Sequence, residues 1–369
     1  MKEQTLTCLY YHRVSPHKER LSVAPETFES QLKALAGKGY QTISLKELSE
    51  FLSGKNLPAK KPLIFSFDDG FLDFYHHAFP LLKKYGMTAV VFLVPNWMDE
   101  NGGREVSKPL AQEMEKSSLD QAVKMAMAGD KKLFLTWEMA KEMAKSGMVE
   151  FGSHTMSHRI GFISGRLRKF ITSEHAHWKY EELYGGAVHA GYPVFERGSD
   201  VAIQCFLPKK EVVEKLVFYC QRQLKETGAT GKKLEAALYK FSGTLGPLGD
   251  FESEKDARSR ILNDFKKSKA VLEEKLGTEC QSLCWPFGDY SDMAIDLARQ
   301  AGYEIAFTTE RGLIRKGDPH LALRRYRVEP VSGTRLAFEL QALNAPGIGA
   351  IISGQSRSRK IIQKIDDRG

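Results

Sequence analysis

No run of about 18 apolar residues occurs in this 369-residue chain, so no transmembrane helix is expected. The amino terminus, MKEQTLTCLYYHRV, lacks the apolar core of an export signal and goes straight into strand-like sequence. Cysteine is sparse: Cys8, Cys205, Cys220, Cys280 and Cys284 are odd in number and scattered, which speaks against a disulfide framework. With no export signal, reduced thiols in a cytoplasm are the simplest reading. The C-x3-C pair Cys280/Cys284 has no second pair, which argues against a structural zinc site. No nucleic-acid motif accompanies the net charge of +8, and nucleic acid is not expected as a partner. That charge suits an anionic substrate or peripheral contact with an anionic membrane surface. No internal repeat stands out. A 42% hydrophobic and 27% charged composition is that of an ordinary globular protein, long enough for one large α/β domain.

The pattern that remains alternates short apolar runs with amphipathic stretches of about ten residues, as parallel βαβ units do. Strands are expected at residues 5–14, 40–43, 62–67, 89–94, 148–151, 282–285, 305–309 and 324–329. Helices are expected at 25–36, 74–85 (with Pro80 as a kink), 119–128, 137–146, 261–276, 292–300 and 335–343. Ser44 with Glu47 forms a capping-box signature. The alternation breaks between about 160 and 255, where one amphipathic helix, 211–225, stands out. The sequence therefore reads as one α/β domain over 1–343, interrupted by a 160–255 insertion and followed by a basic tail, 344–369.

Two strand ends carry the chemistry. The apolar run Leu63-Ile64-Phe65-Ser66-Phe67 stops at Asp68-Asp69-Gly70. Adjacent carboxylates repel, and a fold rarely keeps such a pair without a cation or a proton to handle. Phe151-Gly-Ser-His154-Thr-Met-Ser-His158 ends another strand, and its two imidazoles share a face if the following turn is helical. In a parallel domain both ends lie on one rim, where α/β active sites form. One carboxylate and two imidazoles make an open divalent-metal site that suits Zn²⁺ best, with Fe²⁺, Co²⁺ and Ni²⁺ compatible. Neighbouring side chains on a strand point opposite ways, so only one Asp can face the ion. Asp69 is assigned to the metal and Asp68 to the base, an order the residues alone leave open.

Asp68-Asp69-Gly70, His154-x3-His158 and Trp285-Pro286-Phe287-Gly288 resemble motifs one to three of the polysaccharide deacetylases, the NodB-homology domain of carbohydrate esterase family 4. The resemblance covers roughly residues 5–158 and 258–330. It implies a distorted (β/α)7 barrel with a large insertion, and metal-dependent hydrolysis of an N-acetyl, sometimes O-acetyl, group on a sugar. It further implies Asp68 as base, Asp69, His154 and His158 as ligands, and Pro286, Phe287 and Gly288 as groove wall, the backbone N–H of Phe287 serving the oxyanion; Trp285 is counted with them as substrate-binding. Two features depart from the family. The Arg that many members carry before the motif-three Pro is replaced by Leu283-Cys284-Trp285, and no late His fits the general acid cleanly. Arg325 is the candidate partner for Asp68; His12, also a candidate for substrate contact, and His320 are the candidate acids. The insertion is expected to act as a lid; its His175-Ala-His177 reads as a solvated turn and its Phe195-Glu-Arg197 as sugar- or phosphate-binding. The favoured substrate is an N-acetylated sugar in a cytoplasmic glycan or lipid-linked precursor, the enzyme being cytoplasmic or peripheral to the membrane. The alternatives are hydrolysis of a non-sugar amide and a catalytically inactive glycan-binding barrel. The sequence implies no oligomeric state.

Overall fold

A computed structural model describes residues 4–100, 103, 105–173 and 176–344. The expected tail beyond Asn344, and His175, lie outside the described residues.

Seven strands, β1 (Thr7–Tyr11), β2 (Pro62–Phe67), β3 (Ala89–Leu93), β4 (Val149–Ser153), β5 (Ser282–Cys284), β6 (Ile305–Arg311) and β7 (Leu323–Arg327), form a closed ring. Each pairs in parallel with the next in chain order, and β7 returns to β1 through Leu9 opposite Tyr326. This is the distorted (β/α)7 barrel that the motifs imply. Full closure leaves no free edge among the seven, apart from the short Gln41–Thr42 strand that adds onto β2. β1, β2 and β3 are buried at every position, which explains why they read as near-continuous apolar runs rather than alternating ones. Ile64, Val90, Phe92, Cys284, Phe307 and Leu323 build the core that the barrel shares with the helix Leu45–Leu52.

The surrounding helices start and stop on local signals. Pro25 opens the helix Pro25–Gly37, whose Phe28, Gln31, Leu32 and Leu35 form the buried stripe. Ser44 and Glu47 close the reciprocal capping box. The expected kink at Pro80 is not needed. Residues Phe74–Ala78 form a π-helical turn, and the α-helix proper is Phe79–Tyr85, so Pro80 falls in its first turn, where no N–H is missed. The helix expected from 261 begins earlier, at Glu254, and runs to Leu276. Lys108–Lys116, where no helix is expected from the sequence, is a helix capped by Ser107 with Pro109 in its first turn.

The chain divides into two compact units. The barrel unit comprises the described residues up to His158, Asp264–Gly288, and those from Ala298 onward. The second unit takes Arg159–Asn263 and Asp289–Leu297. In it, Ile160–Phe170 pairs antiparallel with Pro193–Ser199, and Phe206–Pro208 with Gly249–Phe251. Three helices lie wholly within it: Trp178–Tyr184, Lys210–Thr227 and Gly231–Ser242. It has apolar centres of its own: Phe170, Leu216, Leu234 and Leu238 in one, Phe162, Val194, Phe195 and Phe206 in the other. No helix among the described residues is long and apolar enough to cross a membrane.

Candidate active site

His12, Asp68, His154 and Trp285 each follow the last residue of a barrel strand, so the parallel ring brings them to its carboxyl rim. Asp68 continues the line of β2, its N–H bonding the Tyr11 carbonyl at 3.0 Å. Asp69 then adopts a left-handed backbone, φ 75°, and so does Gly70, φ 79°. That reversal re-aims the Asp69 carboxyl. A side chain at Gly70 would meet Leu93 Cδ2 at 2.7 Å, so the turn needs glycine twice over.

The turn after β4 differs from the helical one anticipated. His154 N–H bonds Leu93 O, Thr155 and His158 take positive φ (67° and 49°), and His158 N–H caps onto Thr155 Oγ1. Met156 N–H is held by Asp264 and Asn96 N–H by Met156 O. This pinned loop, rather than a helical face, makes the two imidazoles converge, with ring centres 4.6 Å apart.

Asp69 Oδ1 lies 3.6 Å from His154 Nε2 and 3.9 Å from His158 Nε2, and the three ligand atoms fall within 4.8 Å of one another. Ligands about 2.1 Å from a tetrahedral ion stand roughly 3.4 Å apart, so the spacing fits a divalent metal. The donor chemistry agrees. Asp69 Oδ1 is buried with no hydrogen-bond partner. His154 Nδ1 sits 2.8 Å from the Cys284 carbonyl, where it donates and leaves the Nε2 lone pair facing Asp69. Burial lowers His154, and burial followed by the repulsion that two imidazolium rings side by side would meet lowers His158, so both imidazoles stay neutral, as ligands must. Burial and then the charge of Asp68 push Asp69 well up against the pull of Arg325, the penalty a cation would relieve.

Asp68 is handled differently. Arg325, from β7, donates Nη1–H to Oδ1 at 2.7 Å and Nη2–H to Oδ2 at 2.9 Å. Its Nε–H bonds Thr308 O, Nη1 reaches Ser66 Oγ, and the guanidinium lies over the Tyr10 ring. Burial alone would raise Asp68. The charge and hydrogen bonds of Arg325 overcome it and hold the carboxyl below the usual carboxylate range. The two neighbouring carboxylates are thus driven apart in proton affinity, one clamped by a cation and one without a donor.

Of the motif-three residues, Trp285 is a correction. It is 0% exposed, its indole N–H bonds Leu321 O and its ring packs against Phe265, so it is core and not a substrate-binding residue. Pro286 and Gly288 are buried too. Phe287 is the surface member, 46% exposed, with φ 59° and its ring 4.6 Å from that of His158. Half-buried His12 faces the cluster through its electrostatic coupling to Asp68 and His154, and burial lowers its imidazole to about 4. His320 is not brought in. It is exposed, and its carbonyl bonds Ala306 near the start of β6, at the opposite rim. Sequence reasoning missed two parts. Cys284 places its thiol 3.0 Å from Arg325 Nη2 and 3.6 Å from Asp68 Oδ1. Arg13, buried, bonds Asp73 at 2.6 Å and the carbonyls of Met114 and Ser117, bracing the stretch next to His12. The His-Arg pair after β1 was the one available signal for the second.

A polysaccharide deacetylase family profile matches residues 55–182 and 244–306. A poly-beta-1,6-N-acetyl-D-glucosamine N-deacetylase of Escherichia coli K12 is 24% identical over 294 residues, 79% of this chain and 32% of that protein. One of the same name from Staphylococcus aureus is 28% identical over 169 residues, 42% of this chain and 49% of the other. The chain thus spans about a third to a half of the length of these relatives. A de-N-acetylase structure from Aggregatibacter actinomycetemcomitans superposes with TM-score 0.56 at 19% identity, over 90% of this chain and 100% of that one. At that identity the likeness speaks for the fold.

Proposed function

Because the chain belongs to the polysaccharide deacetylase family, we propose that it is a metal-dependent hydrolase removing N-acetyl groups from an amino-sugar glycan. The observation that carries this reading is the split carboxylate pair: Asp69 buried without a donor beside two neutral imidazoles, and Asp68 clamped by Arg325. Asp69, His154 and His158 would hold a divalent ion, Zn²⁺ being the best match to one oxygen and two nitrogen donors. When bound, such an ion supplies Lewis acidity for the acetyl carbonyl and a lowered pKa for water.

The remaining steps belong to the chain's own residues. Asp68, kept ionised, is the base that takes a proton from the attacking water. Its Oδ2 retains a lone pair beyond the one given to Arg325. Arg325 orients that carboxylate through two parallel bonds and stays charged. The Cys284 carbonyl fixes the tautomer and ring plane of His154. Phe287, exposed beside His158, offers an apolar face to a sugar ring, and neutral His12 supplies a polar contact to the N-acetyl group. The insertion, entered directly after His158 in the chain, is proposed to govern which glycans are accepted.

The relatives' printed names make poly-β-1,6-N-acetylglucosamine the first substrate to test, with lipid-linked N-acetylhexosamine precursors second. Acetate release is measured from each with protein stripped by chelator and reloaded with Zn²⁺. Reloading restores release, and Asp68→Asn lowers it by about 10²–10⁴-fold while circular dichroism stays unchanged. No acetate from either substrate with zinc-loaded protein would sink the reading.

A further inference from the structure

The second unit has a cationic cleft that the deacetylase reading leaves unused. A cavity of about 490 Å³ opens between the strand Ile160–Phe170 with the chain following it and the helix Trp178–Tyr184. Lys169, Lys179, Arg197 and Tyr180 line it, with Thr172 supplying a hydroxyl. The Tyr180 ring gathers two of the cations, Lys169 Nζ at 5.3 Å and Arg197 Cζ at 5.1 Å from its centre. Lys179 Nζ lies over the neighbouring Trp178 ring at 5.2 Å.

Neither Lys169 nor Arg197 has a carboxylate partner among the described residues, and neither do Arg166 and Arg168 on the same strand. The carboxylate beside Arg197 in sequence, Glu196, accepts from Ser164 instead. Like charges gathered around one ring repel, and cation–π contact returns only about 0.5–1 kcal/mol at an exposed site. Such an arrangement favours an incoming anion. A lone carboxylate would neutralise only one of the two cations on Tyr180, whereas a phosphate monoester, close to dianionic at neutral pH, matches both. The donor types match as well: a guanidinium fork, a point-charge ammonium and a hydroxyl.

We propose that this cleft binds a phosphate group, with Lys169 and Arg197 as its principal ligands. The assignment is independent of the acetyl-removing chemistry, because it uses none of the residues on the barrel rim.

The test is equilibrium binding to the full-length chain by calorimetry at low salt, using four probes: inorganic phosphate, glucose 6-phosphate, glucose, and vesicles containing phosphatidic acid. Glucose 6-phosphate is expected to bind at least tenfold more tightly than glucose and to weaken as salt is added. Lys169→Met with Arg197→Gln removes that preference, and Arg197→Lys restores part of it. Both replaced side chains lie at the surface, and thermal melting of the variants confirms that the fold is kept. Preference for the sugar phosphate, the free ion or the vesicle identifies the source of the phosphate, and each supports the site. Equal binding of glucose and glucose 6-phosphate, with no response to inorganic phosphate or vesicles, overturns it. So does phosphate binding that survives the double substitution.

Discussion

Arg325 and Asp68 form a buried pair in which every donor of one faces an acceptor of the other or of the barrel wall. Removing one member leaves the other as an unpaired charge in a dry setting. Arg325→Met is therefore expected to cost about 3–5 kcal/mol of stability, read as a lower urea midpoint. Combining it with Asp68→Asn should recover part of that loss, and a strictly additive double variant would contradict the pairing. Arg325→Lys keeps the charge but loses the fork, so it too should slow acetate release, since one point-charge donor cannot orient both oxygens. Gly288 is constrained in another way. Its φ is 75°, and an added Cβ would sit 2.1 Å from Thr309 Oγ1 and 2.7 Å from the Thr309 backbone nitrogen. Gly288→Ala should destabilise the protein by about 1–3 kcal/mol and displace Phe287, raising KM for the glycan more than it lowers kcat. A variant as stable and as active as the parent would show the turn to be unstrained.

At the scale of elements, legibility followed burial. β2 could be read because both its faces are covered and its apolar run stops at a charge; β3, equally covered, stops at Pro95. The convergence of His154 and His158 was legible as a spacing, but its cause was not. Left-handed backbone at Thr155 and His158 leaves no mark in composition, since β-branched Thr disfavours it and His adopts it only in a small minority of cases. Trp285 misled for a related reason: a tryptophan at a strand end suits a sugar platform and a core equally, and only the bond to Leu321 O decides. The short helix Trp178–Tyr184 brings a titrating group that periodicity cannot reveal. Burial, opposed by the Ile160 N–H and Arg159 and reinforced by Asp200, raises Glu182 to about 7. The folded state then holds this proton more tightly than the unfolded chain. Its stabilisation is full below about 4.5, declines as pH rises, and is gone above about 7. Glu182→Gln should accordingly gain stability relative to the parent between pH 5 and about 8, checked by urea midpoints at both ends. An unchanged difference would mean that Glu182 titrates normally.

Across the whole molecule, the five thiols are distributed over both units and are all buried and unpaired. Burial raises Cys8, Cys205 and Cys280 to about 12 and Cys284 well above its ordinary value, so almost no thiolate exists at neutral pH. Native protein should resist iodoacetamide, while urea-unfolded protein should take up five labels by mass spectrometry. Rapid native labelling at Cys284 would show that the surroundings of Asp68 open to solvent. The order of the ring has a consequence for how the protein is made. Asp68 leaves the ribosome 257 residues before Arg325, and β1 waits longer still for β7 to complete the circle. Until that last strand docks, the barrel has two open edges and the carboxylate lacks its counter-charge. Closure of the barrel and pairing of Asp68 are then acquired in one event, so a nascent chain stalled short of Arg325 is edge-exposed and carries an unpaired carboxylate at once.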